Sequence, residues 1–118
     1  MVTGAASGMG AATVARLRSV GKQVIGIDLA GADADADLGT ASGRRAAVDA
    51  IGKAELEGVA TFAGVSGFGG RPGSLVVAID YFGTVELLEA LHPALVRARG
   101  AALAVSSNII TVAPGIDG

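Results

Sequence analysis

Short apolar segments alternate with longer helix-forming segments along the chain, and this alternation constrains the fold more than any other feature. The strand-like segments are residues 1–2, 23–28, 58–64 and 101–106, with a further short strand possible that would end near Asp37. The helix-like segments are residues 11–20, 41–54 and 74–99. Strands that alternate with helices form a parallel sheet with right-handed crossovers. The sequence therefore predicts an α/β fold with a doubly wound, Rossmann-like parallel sheet, whose ligand lies at the carboxyl ends of the strands.

The segment over residues 74–99 is predicted to be the longest helix. Its apolar residues recur at roughly the spacing of a helix face that packs on a core. Pro93 lies near its end, and we expect this residue to bend or split the helix because proline removes an intrahelical hydrogen bond. The candidate core positions are Leu75, Ile79, Phe82, Val85, Leu88 and Leu91.

The composition excludes several classes of partner and chemistry. The chain has 118 residues, of which 51% are hydrophobic and 17% charged, and this suits a single domain with a buried core. A net charge of −2 without a basic stripe argues against nucleic acid as a partner. The absence of cysteine excludes disulfides and thiolate-bound zinc. No apolar run approaches the roughly 20 residues of a membrane span, and the first residues do not resemble a signal peptide, so we expect a cytoplasmic protein.

A glycine-rich turn, TGAASGMG, links the first predicted strand to the first predicted helix. Gly4 permits a tight turn, Gly8 removes a side chain where the backbone would meet a pyrophosphate, and Gly10 lets the helix pack close to the strand. Backbone N–H groups at the helix start would then bind phosphates, aided by the helix dipole. The alternative is a structural turn that binds nothing. The predicted cofactor-binding residues of this turn are Gly4, Ser7, Gly8, Met9 and Gly10.

Asp28 ends the second predicted strand and lies 18 positions after Gly10. This separation is close to the roughly 20 residues that place a carboxylate on the ribose hydroxyls of a bound dinucleotide. The negative charge would repel the 2′-phosphate of NADP, and no arginine follows to hold that phosphate. The sequence therefore predicts NAD as the cofactor. The alternative is a solvated aspartate without a ligand.

The pattern Thr-Gly-x-x-x-Gly-x-Gly resembles the fingerprint of the short-chain dehydrogenase/reductase family, and the resemblance extends over essentially the whole chain. Within that family, the segments VIGIDL, ADLGTASGR and YFGTVELLEALHPAL are most similar to bacterial hydroxysteroid dehydrogenase/carbonyl reductases. The resemblance implies an oxidoreductase that transfers a hydride between NAD(H) and a secondary alcohol or ketone, with steroid-like molecules among the candidate substrates.

The resemblance also implies roles for residues outside the glycine turn. Asp37 and Leu38 match an aspartate and an apolar residue that contact the adenine. Ala63 and Gly64 match a turn after the fourth strand in which the backbone approaches the cofactor closely. Phe62 stands where that turn usually has asparagine, and this side chain could equally belong to the core.

The catalytic residues implied by the resemblance are only partly present. Ser107 matches the serine whose hydroxyl binds the substrate carbonyl. Asp80 stands where the family usually has an asparagine that supports a proton relay. The family's proton donor is a tyrosine with a lysine four residues later, whereas Tyr81 is followed at that spacing by Val85. A non-catalytic NAD-binding fragment or pseudoenzyme is therefore the alternative function.

An alternation of alanine and aspartate around Asp33, Asp35 and Asp37 invites comparison with a calcium loop. A loop that starts at Asp33 would need glycine and glutamate where the chain has Leu38 and Arg44, so no metal site is predicted. Asp33 and Asp35 are expected in a solvated loop. Arg44 and its neighbour Arg45 are also expected to face solvent.

The chain is expected to be truncated or incomplete on its carboxyl-terminal side. The predicted helices leave one face of the last two strands uncovered, and an exposed apolar face of this kind favours association. Residues 108–118 are interpreted either as the direct continuation after the catalytic serine or as a later strand segment of the family. Homo-oligomerisation is expected to use the long helix over residues 74–99.

Overall fold

A computed structural model gives the structure of the chain and describes residues 1–107. Both interpretations of residues 108–118 therefore concern residues outside the described part. The strands are β1 (Val2–Thr3), β2 (Gly26–Asp28), β3 (Ala34–Asp35), β4 (Gly58–Thr61) and β5 (Ala101–Ala104). The helices are α1 (Gly8–Ser19), α2 (Ala41–Asp49), α3 (Gly73–Val77) and α4 (Gly83–Ala98), with a π-helical turn over Ala78–Phe82 between α3 and α4.

The five strands form one parallel sheet in the order β3-β2-β1-β4-β5. β1 lies in the middle, where Thr3 pairs with Ile27 on one side and with Thr61 on the other. Strands β2 and β3 are added in turn on one side of β1. The chain then crosses back, so that β4 and β5 are added on the other side of β1. This reversal creates a crevice at the carboxyl ends of β1 and β4, where doubly wound sheets bind ligands. The predicted fold class is confirmed.

Helix α1 begins at Gly8, three residues earlier than predicted, because the second half of the glycine turn is itself helical. Its end at Ser19 follows from a glycine with φ of 84° at position 21. There Gly21 N–H donates to the Arg18 carbonyl and Lys22 N–H donates to the Leu17 carbonyl, both at 3.0 Å. These two bonds satisfy carbonyls that the helix itself leaves without partners, so Gly21 is the helix stop that the sequence predicts.

The predicted helix over residues 74–99 is interrupted, but not where proline suggests. The interruption is the π-helical turn, while Pro93 lies inside α4, which continues to Ala98. The prediction that Pro93 would split the helix is therefore wrong. Two of the candidate core positions are also wrong, because Leu75 and Phe82 are exposed. The buried positions of α4 are Gly83, Leu87, Leu91, Ala94 and Leu95.

The hydrophobic core lies between the sheet and the pair α2 and α4. Ile27 of β2, Ala47 of α2 and Leu91 of α4 are completely buried in it. In contrast, all four residues of β5 are exposed, including Leu103. Within residues 1–107, this edge strand is therefore uncovered, as expected for the last strands. None of the helices in the described part of the chain is long and apolar enough to span a membrane.

Asp33 is an exposed loop residue, as expected from the sequence, with 45% of its side chain exposed, and its carboxylate also makes contacts with two other elements. Its Oδ2 atom accepts hydrogen bonds from Arg18 Nη2 at 2.7 Å and from Gly26 N–H at 2.6 Å. The carboxylate thus fastens the segment before β3 to both α1 and β2. Asp35 is exposed, as expected. Residues 1–107 contain no group of three or more acidic, histidine or cysteine side chains that could hold a metal ion.

Arg44 does not face solvent, which corrects the expectation from sequence. Only 14% of its side chain is exposed, and Arg44 Nε donates to Glu86 Oε2 of α4 at 2.6 Å. Its Nη1 atom donates to the Leu38 carbonyl at 3.0 Å. Arg44 therefore connects α2, α4 and the segment after β3. Arg45, in contrast, is exposed as predicted.

Replacing Arg44 with alanine is expected to lower the free energy of unfolding by about 2 kcal/mol, because the Leu38 carbonyl and Glu86 both lose a charged donor. Urea unfolding followed by circular dichroism measures this loss. The matched control is Arg45→Ala, which removes the same charge from an exposed position and should change stability by less than about 0.5 kcal/mol. Equal effects of the two substitutions would contradict the assigned role of Arg44.

Candidate functional site

A cleft of about 290 Å³ lies at the carboxyl edge of the sheet, where β1, β2 and β4 end. The structure brings to this cleft all ten residues that the sequence predicts for the cofactor, which are Gly4, Ser7, Gly8, Met9, Gly10, Asp28, Asp37, Leu38, Ala63 and Gly64. The cleft is also lined by Leu29, Phe62, Val65 and Ile79. Sequence reasoning assigned no cofactor role to these four residues, because apolar side chains beside a strand end are equally typical of a core.

The glycine turn adopts a conformation that only glycine permits at several positions. Gly4 has φ of 67°, and a Cβ atom on it would lie 2.8 Å from Ala63 N. A Cβ atom on Gly10 would collide with the Gly4 carbonyl oxygen. Gly8 has φ of 55° and faces open space, with no atom within 4 Å of an added Cβ. The turn is therefore tightly packed at Gly4 and Gly10, whereas the space next to Gly8, which lines the cleft, is open.

The first turn of α1 faces this open space with its backbone donors. Ser7 is the N-cap residue, yet its side chain makes no capping hydrogen bond to the helix. The first N–H groups of an α-helix have no acceptor within the helix. The first turn contains no acidic residue that would repel an anion. A 12-residue helix in this arrangement presents a partial positive charge that suits a phosphate group.

Asp28 is held in place at the end of β2 by backbone donors. Its Oδ2 atom accepts from Ala6 N–H of the glycine turn at 2.9 Å, and its Oδ1 atom accepts from Leu29 N–H at 2.8 Å. Each carboxylate oxygen can accept a further hydrogen bond. No lysine or arginine lines the cleft within the described residues. The carboxylate is thus fixed in orientation, negatively charged and able to accept from hydroxyl groups.

Thr3 joins the glycine turn to the end of β4. Its buried hydroxyl oxygen accepts from Ala63 N–H at 3.1 Å, and its carbonyl accepts from Phe62 N–H at 3.3 Å. Together with the contact of Gly4 against Ala63, these bonds fix the distance between the two halves of the cleft. Sequence reasoning missed this role of Thr3, although its place before the first glycine of the fingerprint was a signal.

The remaining wall of the cleft follows β3. Asp37 Oδ1 accepts from Gly39 N–H at 2.9 Å, a local turn that stabilises the chain before α2. Leu38 is buried, and its carbonyl is held by Arg44. On this side the cleft is therefore lined by the exposed carboxylate of Asp37 and by the apolar residue Leu38.

A second cleft of about 960 Å³ adjoins the first on the side of β4 and β5. Residues shared by both clefts are Met9, Phe62, Ala63, Gly64 and Val65. Ser107 lines the second cleft, directly after β5, together with Ser106. Phe68, Val76 and Val105 give the cleft an apolar surface. Ser107 thus lines the second cleft together with Met9, Ala63 and Gly64, three of the ten residues that the sequence predicts for the cofactor.

The chain is similar in sequence and in fold to known proteins. The chain is 38% identical over 112 residues to the 3-alpha-hydroxysteroid dehydrogenase/carbonyl reductase of Comamonas testosteroni, covering 92% of this chain and 43% of that protein. It is similar to the crystal structure of the 3-alpha-hydroxysteroid dehydrogenase from Pseudomonas sp. B-0831 complexed with NADH, with 43% identity and a TM-score of 0.82. That match covers 97% of this chain and 49% of the other.

A short-chain dehydrogenase/reductase from Brucella ovis gives a TM-score of 0.75 at 25% identity, over 91% of this chain and 60% of that one. The chain is thus similar in sequence and fold to these dehydrogenases and reductases over nearly its whole length. No protein-family model matches it. The chain spans less than half the length of each of the two hydroxysteroid dehydrogenases.

Two positions at the junction of the clefts depart from the short-chain dehydrogenase/reductase pattern that the sequence otherwise resembles. Phe62 is half-buried and lines both clefts, so its ring is a wall of the site as well as a packing side chain. Asp80 lies in the π-helical turn, and its Oδ1 atom accepts from Val65 N–H at 2.8 Å. Tyr81 is 57% exposed and packs edge-to-face against Phe82.

Proposed function

We propose that residues 1–118 form a single dinucleotide-binding domain that holds NAD(H) for hydride transfer to or from a secondary alcohol or ketone. The observation that carries this proposal is the meeting of two features in one cleft. The start of α1, with its open backbone donors, and the fixed carboxylate of Asp28 both line this cleft. The first feature suits a pyrophosphate and the second suits a ribose.

Each part of the cleft has a defined task in this proposal. The N–H groups of Gly8, Met9 and Gly10 bind the phosphates, and the carboxylate of Asp28 accepts hydrogen bonds from the adenosine ribose. Leu38 and Asp37 contact the adenine. Ala63 and Gly64 let the backbone approach the nicotinamide half. When bound, NAD(H) supplies or accepts the hydride, while the protein fixes its position and excludes water.

The second cleft is the proposed place of the substrate. Its apolar walls suit a hydrophobic molecule, and Ser107, which lines the same cleft, is the proposed hydrogen-bond donor to the substrate carbonyl. Two relatives named as hydroxysteroid dehydrogenases support a steroid-like alcohol or ketone as the substrate class.

Binding without chemistry is the second candidate function. The only tyrosine of the chain, Tyr81, is exposed and is followed by Val85 at the spacing where the family has lysine. Lowering the pKa of a phenol to near neutrality needs a nearby positive charge. The 118 residues therefore offer no tyrosine–lysine pair for proton transfer, which favours an NAD-binding chain without turnover.

Self-association through the long helix is also part of the proposal. Leu75, Val77, Tyr81 and Phe82 are exposed on α3 and the π turn. Exposed apolar side chains grouped in this way are typical of association surfaces. They support pairing of two copies through the helix over residues 74–99.

Calorimetric titration of the 118-residue protein with NADH and with NADPH tests the proposal. We expect NADH to bind at least about tenfold more tightly, because Asp28 repels the 2′-phosphate and the cleft lacks a basic side chain to offset that repulsion. NADH oxidation with a panel of hydrophobic ketones then separates the two functions. Binding with turnover supports the enzyme, binding without turnover supports the non-catalytic chain, and absence of binding contradicts both.

A further inference from the structure

Asp80 lies against the backbone segment that the two clefts share. Its Oδ1 atom accepts from Val65 N–H at 2.8 Å and would lie 3.3 Å from a Cβ atom on Gly64. Gly64 and Val65 line both clefts, and Asp80 itself lines the second. Asp80, a residue of the π-helical turn, therefore holds the backbone of the segment that follows β4. Single π turns within helices are frequent at functional sites.

The charge of Asp80 has no basic partner among the described residues. The ion pairs within residues 1–107 join Arg18 to Asp33, Lys22 to Glu57 and Arg44 to Glu86. The hydrogen bond from Val65 N–H is the polar contact that positions the Asp80 carboxylate. Asp80 is exposed and lines the second cleft, so its charge acts on a ligand there while solvent screens part of it.

A dinucleotide in the proposed orientation brings its nicotinamide to this carboxylate. With the adenosine at Asp28 and the phosphates on α1, the other half of the molecule extends over the end of β4. Gly64 and Val65 lie there, with Asp80 directly behind them. The oxidised nicotinamide ring carries a positive charge and the reduced ring carries none. All other charges of the two cofactor forms are the same.

We infer that Asp80 is a specificity-determining residue that makes this site prefer NAD⁺ over NADH. This inference rests on the proposed function, because it concerns the nicotinamide end of the same site. The carboxylate acts in two ways that can be separated. Its oxygen positions the Gly64–Val65 backbone, which affects both forms equally, and its charge stabilises only the oxidised ring.

Two substitutions separate these effects. Asp80→Asn keeps an oxygen acceptor for Val65 N–H and removes the charge, so the Kd for NAD⁺ should rise about three- to tenfold while the Kd for NADH changes less than about twofold. Asp80→Ala removes both the charge and the acceptor, so binding of NADH should also weaken. Calorimetric titration measures both forms without depending on fluorescence or turnover.

The control is Glu89→Gln, which removes the same charge from an exposed residue of α4 that lines neither cleft. Its ratio of NAD⁺ to NADH affinity should equal that of the unmodified protein. The unmodified protein gives a second readout that needs no variant, since about 1 M salt should reduce its preference for NAD⁺ by screening the carboxylate.

The outcomes distinguish this inference from the proposed function. If the unmodified protein binds neither form, the proposed function fails and this inference fails with it. If both forms bind but neither Asp80→Asn nor salt changes the affinity ratio, the inference is overturned and the proposed function stands. A shift of the ratio by Asp80→Asn and not by Glu89→Gln supports the inference.

Discussion

Replacing Gly10 with alanine is expected to lower the free energy of unfolding by about 3 kcal/mol, at the upper end of what overpacking costs. The added Cβ atom would collide with the carbonyl oxygen of Gly4 and would lie 3.2 Å from Ala5 N. These neighbours are backbone atoms, so no side-chain rotation can relieve the contact. Gly4 has little room to move, because it packs closely against the backbone of Ala63.

Urea unfolding followed by circular dichroism tests this expectation. The matched control is Gly67→Ala, because an added Cβ atom at Gly67 meets no atom within 4 Å and its backbone is not in the left-handed region. That substitution should change stability by less than about 0.5 kcal/mol. A loss at Gly10 no larger than at Gly67 would mean that α1 does not depend on close packing against the glycine turn.

Replacing Asp28 with alanine is expected to weaken NADH binding about 100-fold. Hydrogen bonds to a charged group contribute about 1.5–3 kcal/mol each, and the proposed contact includes two ribose hydroxyls. The binding of NADPH should weaken far less, because the repulsion of its 2′-phosphate disappears in the same variant. The expected result is therefore a loss of the preference for NADH as well as a loss of affinity.

The ratio of the two affinities is the decisive measurement for Asp28. The substitution also removes the acceptor for Ala6 N–H, so some loss of stability should accompany it, and this loss affects both nucleotides alike. Asp35→Ala is the matched control, since Asp35 is an exposed carboxylate on the neighbouring strand that does not line the cleft. An NADH to NADPH ratio that stays unchanged in the Asp28 variant would contradict the ribose contact.

The exposure of Arg44 and the end of its helix were predicted wrongly for different reasons. Arg44 looks like a solvated charge in the sequence because its partner, Glu86, belongs to another helix. The helix predicted for residues 41–54 ends at Asp49, where Gly52 N–H donates to the Asp49 carbonyl and Gly52 adopts φ of 56°. Helical spacing of residues does not reveal this left-handed conformation.

The sequence by itself determined the alternation of elements and the doubly wound sheet, because hydrophobic periodicity is a local property and alternating strands and helices form a parallel sheet. Glycine spacing and the offset of Asp28 predicted the glycine turn and Asp28 as cofactor residues, whereas Asp37, Leu38, Ala63 and Gly64 were implied by the family resemblance. Only the tertiary structure decided where the long helix is interrupted, which of its faces is buried, and that Thr3 and Asp80 hold the end of β4. Those features depend on atoms that lie far apart along the chain, and their positions are fixed only when the sheet and helices pack together.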